Sequence, residues 1–391
     1  MPDAYIVAAK RTAGGRRKGA LSGWHPADLA AQVVDHLVDL TGADPETIDD
    51  VIVGCVGQAG EQSFNIGRNV VLASSLPETV PGTSVDRQCG SSQQALHFAA
   101  QAVISGTQDI VIAAGVESMT RVPMGLPYTL PKKNGLGTYI SPNMQARYPG
   151  IEFSQFDGAE TIARKYGFSR ERLDAFARQS HERAAQATDR GQFEDEILPV
   201  EIRPFEGEAE GMHVRDEGIR ADTTLEGLAG LDPIVEGGLL TAGNASQMCD
   251  GASAVMVVNE AGLKALGVEP LARIHHMSVH GGDPVVMLET PIEATRRALA
   301  KAGMTLDQID LFEVNEAFAP IPLAFIEALG ADPSKVNVRG GAIALGHPLG
   351  ATGTKLMATL VHALRKRDAR FGLQTMCEGG GLANVTVVER L

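Results

Sequence analysis

Cysteine, aromatic residues and long apolar runs are all scarce in this sequence of 391 residues. No run of roughly 18 apolar residues occurs, so no membrane span is predicted. The N-terminus has no charged leader followed by an apolar core, and we therefore expect no signal peptide. The four cysteines stand far apart without a C-x-x-C pair, at Cys55, Cys89, Cys249 and Cys377. This spacing argues against a disulfide framework or a zinc ribbon and favours a reducing, cytoplasmic location with one or two reactive thiols.

Positive charge is also in short supply. There are 34 lysines and arginines against 48 acidic residues, which gives a net charge of −14. A nucleic-acid-binding chain would normally carry a basic face, so neither nucleic acid nor a membrane is expected as a partner. An anionic substrate would have to meet a local cationic patch. Glycine, by contrast, is abundant at 44 residues, and its clusters indicate tight loops around a site.

The order of the predicted elements indicates an α/β fold interrupted by a long insertion. Buried strands alternate with helices in the first part of the chain, which implies right-handed βαβ units and a sheet covered on both faces. From about 119 to 248 this alternation is lost, and we interpret the segment as an insertion lying over the sheet domain. A capping box at Thr290 is expected to begin a later helix. Strands are predicted at 4–9, 48–56, 109–114, 252–259, 271–279, 311–314, 371–377 and 382–389.

A weak internal repeat relates the two ends of the chain. The segment Thr47–Val53 is echoed by Gln308–Val314, and in both cases a loop of small residues, a helix and a strand follow later. Two copies of one α/β unit would explain the length and would bring their glycine-rich ends together at one site. Chance similarity of two short segments is the alternative.

The whole sequence is organised around Cys89, which is followed by Gly90, Ser91 and Ser92. A strand is expected before this cysteine and a helix after it, ending at Gly106. At such a turn, free backbone N–H groups and the helix dipole stabilise a thiolate. The small residues leave room for a substrate beside the sulfur. Taken alone, this turn is explained equally well by a buried cysteine at a helix start that has no catalytic role.

Three further segments carry candidate chemistry. Asn315-Glu316-Ala317-Phe318 follows a buried strand, His347 stands in the glycine-dense loop 340–353, and Cys377 precedes the glycines 379–381. A cysteine with a histidine partner is an activated nucleophile. A second cysteine could give and take a proton, and the glycine turn could offer backbone N–H groups as an oxyanion hole. The loop is not a P-loop, because Gly353 is followed by Thr-Lys.

These four segments, in this order, resemble the motifs of the thiolase family: a C-G-S turn, N-E-A-F, G-H-P-x-G-x-[ST]-G and C-x-G-G-G. The segment Thr241–Ser246 also resembles the family's T-A-G-N-[AS]-S motif. The resemblance covers essentially the whole chain. It implies a fold of two similar α/β halves in five α-β-α-β-α layers with an inserted loop domain. The implied domains are residues 1–118, completed by 250–270, then the loop domain 119–249 over the active site, and then 271–391.

The resemblance also implies a role for each motif residue. Cys89 would attack the substrate and become acylated, and His347 would take its proton. Cys377 would protonate the acetyl-CoA carbanion in cleavage or remove the α-proton in condensation. Asn315 would complete one oxyanion hole with His347 through a water, and the N–H groups of Cys89 and Gly379 would form the other.

Further residues are expected at the binding site by the same resemblance. Ser246 would contact the pantetheine of coenzyme A, and Arg220 would lie by its adenine. Phe318 and Met287 are expected beside the acyl group and cofactor, although plain core packing explains Met287 equally well. Coenzyme A would be a co-substrate, with no tightly bound cofactor and no metal. Thiolases are dimers or tetramers, so a homodimer or homotetramer is expected.

The motifs favour a degradative 3-ketoacyl-CoA thiolase. The His-Met-Gly segment of biosynthetic acetoacetyl-CoA thiolases is replaced by Ser154–Gly158, Ser92 replaces their glycine, and Glu378 stands where an apolar residue is frequent. The biosynthetic enzyme is the first alternative. A cysteine hydrolase that uses Cys89, His347 and Asn315, and a non-catalytic acyl-CoA-binding protein, are the more distant ones.

Overall fold

The computed structural model describes residues 2–391. Its strands are β1 Tyr5–Thr12, β2 Gly15–Arg16, β3 Asp50–Gly54, β4 Gly82–Val85, β5 Ile110–Ser118, β6 Ile197–Leu198, β7 Val200–Glu201, β8 Met212–His213, β9 Cys249–Val258, β10 Ala272–Gly281, β11 Leu311–Val314, β12 Phe371–Glu378 and β13 Leu382–Glu389. Its helices are α1 Pro26–Thr41, α2 Ile66–Ala73, α3 Ser91–Ser105, α4 Leu126–Lys133, α5 Pro142–Arg147, α6 Gln155–Lys165, α7 Arg170–Asp189, α8 Leu225–Ala229, α9 Glu260–Leu266, α10 Thr290–Ala302, α11 Pro320–Leu329, α12 Ala342–Leu345 and α13 Thr352–Lys366.

Five layers of helix and sheet make up the molecule. The main sheet runs β11-β12-β13-β10-β1-β9-β5-β3-β4, and its two halves join where Tyr5 and Ile6 pair with Arg273 and Ala272. Helices α1 and α2 cover the outer face of the first half, and α10 and α11 that of the second. Helices α3 and α13 contact each other between the two half-sheets. The α-β-α-β-α fold expected from the resemblance is therefore confirmed.

Burial on both faces explains the composition of the central strands. Every residue of β5 and of β9 is buried, which suits strands that helices cover on each side. Strand β5 runs to Ser118, beyond the predicted end at 114, because Gly115–Ser118 pair antiparallel with Asp250–Ser253 of β9. The chain thus returns to the first half-sheet after the long insertion.

The internal repeat is present in the structure as two matching units. In the first, the Asp49 carboxylate accepts from the backbone N–H groups of Asp109 and Ile110 at the start of β5. In the second, Asp310 accepts in the same way from Arg370 and Phe371 at the start of β12. In both units a short 3₁₀ turn and a strand precede these contacts. The sequence similarity therefore reflects repeated structure rather than chance.

Two local predictions were wrong. Helix α10 begins at Thr290 with Glu289 as N-cap, so Thr290 does not form the predicted capping box. Its hydroxyl instead donates to the carbonyls of Met287 and Gly381, which ties the helix to the glycine turn after β12. Helix α13 begins at Thr352 rather than 350, because a 3₁₀ turn precedes it.

The inserted segment folds mainly into helices. Helix α7 begins after its N-cap Ser169, whose hydroxyl accepts from the Arg172 N–H. Phe156 of α6 packs edge-to-face on Phe318, with ring centroids 5.5 Å apart, so this segment touches the second half beside the N-E-A-F motif. The exact domain boundaries stay a prediction. Within residues 2–391, none of the helices has the length and apolar character needed to cross a membrane.

Candidate active site

The turn around Cys89 is tightly constrained. Gln88 has a φ of 49°, a left-handed conformation that is uncommon outside glycine, and Gly90 is the N-cap of α3. The Ser91 hydroxyl accepts from the Arg87 N–H and donates to the Gln88 carbonyl, which holds the bend. At the end of this bend, Cys89 is buried, with 4% of its surface exposed. The sulfur is therefore fixed beside the helix start, as the sequence predicts.

The resting state of Cys89 differs from the expected thiolate. Burial raises the pKa of this thiol to about 12, and the Glu378 carboxylate contributes in the same direction. The backbone N–H at Cys89 and the side chain of Gln155 favour the thiolate, but they do not outweigh burial. Cys89 is thus a thiol at neutral pH, because desolvation penalises its charged form. A base must take its proton before it can attack.

The hydrogen bonds of His347 identify the nitrogen that can act as this base. The Thr352 hydroxyl donates to the Pro348 carbonyl, so it accepts from Nδ1 of His347 at 2.6 Å. Nδ1 therefore carries the proton, and the unprotonated Nε2 accepts from the Asn315 side-chain N–H at 3.4 Å. Burial, followed by the Lys355 ammonium, lowers the pKa of His347 to about 3. The ring is neutral and can accept a proton at Nε2.

Cys377 and Gly379 lie at the end of β12, facing the Cys89 turn. Burial raises the pKa of the Cys377 thiol well above its usual value, and a negative charge on Cys89 would act in the same direction. Cys89 packs against Met376, the residue before Cys377, so the two cysteines are neighbours. A Cβ added to Gly379 would lie 2.9 Å from the Gln88 amide oxygen. The glycine turn thus touches the residue that precedes Cys89.

Close helix packing brings these segments together. The Thr354 N–H of α13 donates to the Ser92 hydroxyl of α3 at 3.0 Å. A Cβ on Gly353 would lie 2.1 Å from the Gln93 nitrogen, so only glycine allows this approach. Cys89 packs between Leu356 of α13 and Met376 of β12. The N-termini of both central helices and the end of β12 therefore meet at Cys89.

Asn315 connects His347 to the sheet. Its backbone N–H donates to the Thr375 carbonyl, while its buried side-chain oxygen has no hydrogen-bond partner within residues 2–391. A partner-less buried oxygen next to Nε2 of His347 suits a water or a substrate group. Asn315 and His347 are thus placed as one pair of hydrogen-bonding groups.

The predicted binding residues fall into two places. Ser246 donates its N–H to the Ala317 carbonyl, which puts it beside Phe318, and Met287 lies in the same apolar cluster as Phe318. Met287 has a φ of 61° and is 3% exposed, so it is part of the core as well as of this wall. Arg220 is exposed, and its N–H donates to Nδ1 of His181 on α7. Its guanidinium is available to an anionic ligand.

Three residues at the site were not predicted to have a role. Thr352, which fixes the tautomer of His347, stands within the quoted glycine motif and could have been identified there. Glu117 accepts from the N–H groups of Gly57 and Gly350 and holds the glycine loop; a carboxylate directly after a buried strand was its only signal. Gln155 faces Cys89 from the insertion, and nothing in the sequence marks it. Among the described residues, no group of three His, Cys, Asp or Glu could hold a metal ion.

Replacing Glu378 by Gln is expected to reduce the fall in stability with rising pH. Neither carboxylate oxygen has a hydrogen-bond partner among the described residues, and burial raises the pKa of Glu378 to about 8, although Arg87 acts in the opposite direction. In the unfolded chain, the pKa of a Glu side chain is about 4.3. This group's contribution is thus fully present below that pH and is lost as the pH rises through about 8. The Tm of the wild type should fall relative to the variant by roughly 2 °C or more across this window.

The control for this measurement is Glu269→Gln, because Glu269 is exposed. Its Tm should follow that of the wild type at every pH. Parallel Tm profiles for the wild type and Glu378→Gln would show that Glu378 is not held protonated in the fold.

Comparison with known proteins gives one family across the chain. The family model "Thiolase, N-terminal domain" matches residues 4–261, and "Thiolase, C-terminal domain" matches residues 268–390. The chain is 51% identical over 393 residues to the steroid 3-ketoacyl-CoA thiolase FadA6 of Mycobacterium tuberculosis, covering 100% of this chain and 95% of that one. It is 42% identical over 400 residues to the 3-ketoacyl-CoA thiolase of Bacillus subtilis, with both chains covered in full.

Two solved structures have the same architecture over the whole length. The Bacillus anthracis acetyl-CoA acetyltransferase superposes with a TM-score of 0.91 at 36% identity, covering 100% of this chain and 99% of that one. The human mitochondrial 3-ketoacyl-CoA thiolase in complex with CoA gives 0.88 at 36% identity, with 100% and 98% covered.

Proposed function

Because the chain belongs to the thiolase family, we propose that it cleaves 3-ketoacyl-CoA reversibly with CoA to give acetyl-CoA and a shortened acyl-CoA. The enzyme is an acyltransferase and works through an acyl-cysteine. The observation that carries this proposal is that the buried thiols of Cys89 and Cys377 are neighbours, while the neutral imidazole of His347 has an unprotonated Nε2 that accepts from Asn315. A hydrolase would need only one of the thiols.

The proposed cleavage assigns one proton transfer to each group. Nε2 of His347 takes the Cys89 proton, and the thiolate attacks the 3-keto carbon. The bond between C2 and C3 breaks, and the acetyl-CoA carbanion takes the proton of Cys377. Acyl-Cys89, imidazolium and the Cys377 thiolate remain. Because Cys377 is buried next to Cys89, its thiol is a proton donor held in a dry site.

The second half returns each proton to its origin. Incoming CoA gives its thiol proton to the Cys377 thiolate and attacks the acyl-Cys89 carbonyl. Cys89 leaves as a thiolate and recovers its proton from His347. The N–H groups of Cys89 and Gly379 are proposed to hold the thioester oxygen, since their turns face each other. A water beside Asn315 and Nε2 of His347 is proposed to hold the other oxyanion.

The acyl group proposed for this enzyme is larger than acetyl, and the direction is degradative. The N-terminus of α6 presents Gln155 and Phe156 where biosynthetic members carry His-Met-Gly, and Phe156 with Phe318 forms an aromatic wall. The names of the relatives from M. tuberculosis and B. subtilis support 3-ketoacyl-CoA as substrate. Condensation of two acetyl-CoA molecules is the alternative, which the name of the acetyltransferase among the solved structures supports.

The remaining parts of the proposal concern binding and assembly. Coenzyme A is the co-substrate, as the CoA complex of the human relative supports, with Ser246 and Arg220 along its path. Cys89, His347, Cys377, Asn315 and Gly379 form the catalytic set. A homo-oligomer in the reducing cytoplasm is proposed, since all four buried cysteines are free thiols.

The test is a thiolysis assay across short, medium, long and ring-bearing 3-ketoacyl-CoA substrates. Consumption should require free CoA, and the products should be acetyl-CoA and an acyl-CoA shortened by two carbons. Hydrolysis of the thioester without CoA would instead favour the cysteine hydrolase. Faster turnover of acetoacetyl-CoA than of any longer substrate would favour the biosynthetic alternative.

A further inference from the structure

A buried lysine lies directly beneath the loop that carries His347. The side chain of Lys355 is 4% exposed, and its ammonium donates to the Leu345 carbonyl at 2.6 Å and to the Gly346 carbonyl at 3.3 Å. These are the two carbonyls that immediately precede His347. The short helix α12 ends at Leu345, so its last carbonyls have no partner within the helix, and a cation is favoured there.

We propose that Lys355 is a positioning residue for His347, and this inference rests on the proposed function. Helix α13 holds the imidazole from two directions. Thr352, in its first turn, fixes Nδ1 of the ring, and Lys355, one turn later, fixes the backbone before it. The direction in which Nε2 points therefore depends on both contacts.

The ammonium is itself held by a buried network of charges. Its Nζ lies 3.9 Å from the Asp216 carboxylate, which accepts from Arg11 at 2.8 and 3.1 Å and from the Gly14 N–H at 2.7 Å. Arg11 also pairs with Glu196, and all these side chains are almost fully buried. Such pairs often add little net stability, because desolvation offsets the attraction. These buried charge pairs are explained if their role is to fix the geometry of the loop that carries His347.

The backbone around His347 leaves little freedom for any other arrangement. Gly346 has a φ of +78°, and a Cβ there would lie 2.7 Å from the sulfur of Cys249. The His347 N–H donates to the Gln247 carbonyl at 3.0 Å. Lys355 is the group that satisfies the carbonyls on the opposite side. Without it, the loop would lose the donor that holds its carbonyls, and the ring would move relative to Cys89.

Lys355→Met is expected to lower kcat for thiolysis about 10- to 100-fold with little change in KM, because a small misplacement of a catalytic group costs rate rather than binding. The rate of Cys89 alkylation by iodoacetamide should fall in parallel, since it needs the same imidazole and no substrate. Lys355→Arg should recover most of both rates. If Lys355→Met does not fold, Lys355→Gln keeps one donor and should show a smaller loss of the same kind.

The control is Arg273→Met, which removes a partly buried cation that pairs with Asp3 and Glu389, distant in sequence from the histidine loop. It should lower Tm and leave kcat unchanged. Folded Lys355→Met or Lys355→Gln with wild-type kcat and alkylation rate would overturn the inference, as would an equal loss of kcat in Arg273→Met. If the wild type performs no thiolysis, the proposed function fails, while the alkylation rates still test the role of Lys355.

Discussion

Replacement of Cys377 by alanine is expected to slow 3-ketoacyl-CoA cleavage by about 10²- to 10⁴-fold while Cys89 is still acylated. Cleavage creates a carbanion, which is strongly basic and needs the Cys377 proton. Acylation of Cys89 by acetyl-CoA releases a thiolate, which leaves near neutral pH without that proton. Steady-state thiolysis and the mass of the enzyme after brief mixing with acetyl-CoA measure the two steps separately.

Cys377→Ser is the companion variant for this experiment. Serine keeps a hydroxyl of nearly the same size but is a much weaker acid, so it should restore stability without restoring cleavage. Recovery of cleavage by Cys377→Ser would mean that Cys377 supports the site by packing rather than as a proton donor.

Cys89→Ala is expected to abolish the acyl-enzyme and to lower turnover by about 10⁴-fold or more, since the nucleophile and its partners act as a unit. The physical reason is that Cys89 is buried. Burial keeps its thiol protonated and also prevents another group from replacing it as the nucleophile. Thiolysis rates and whole-protein mass after incubation with a 3-ketoacyl-CoA measure the loss.

Cys55→Ala provides the matched control, because Cys55 is also a fully buried free thiol in the first half of the chain. This variant should lose stability but keep the adduct and measurable turnover. Full turnover by Cys89→Ala would remove the covalent mechanism.

Local patterns were sufficient to predict an α/β fold with a sheet covered on both faces, whereas the five layers were implied by the resemblance to the thiolase family. Strand β11 was predicted with its correct bounds, because a short, mainly apolar run between polar turns has few alternatives. The repeat could be predicted because Asp49 and Asp310 make equivalent contacts, and these constrain equivalent sequences. Thr290 was misplaced because its hydroxyl bonds to Gly381, which is distant in sequence, rather than to its own helix.

The candidate site was only partly predictable for a related reason. The motifs placed Cys89, His347 and Cys377 at the ends of elements, which is a local property. The protonation of Cys89 depends on burial by β12 and α13, which no local pattern reports. Nothing in the sequence marks Lys355 as buried, and only the contact of α13 with the end of α12 makes it a buried donor.

The central claim is that Cys89 is the residue acylated when the carbon–carbon bond breaks. Peptide mapping by mass spectrometry, after rapid acid quenching of the enzyme with a 3-ketoacyl-CoA and no free CoA, tests it most directly. We expect the shortened acyl group, which has lost C1 and C2 as acetyl-CoA, on the peptide that contains Cys89 and on no other. The same acyl group on another residue, or an adduct that retains the intact 3-ketoacyl chain, would contradict the account.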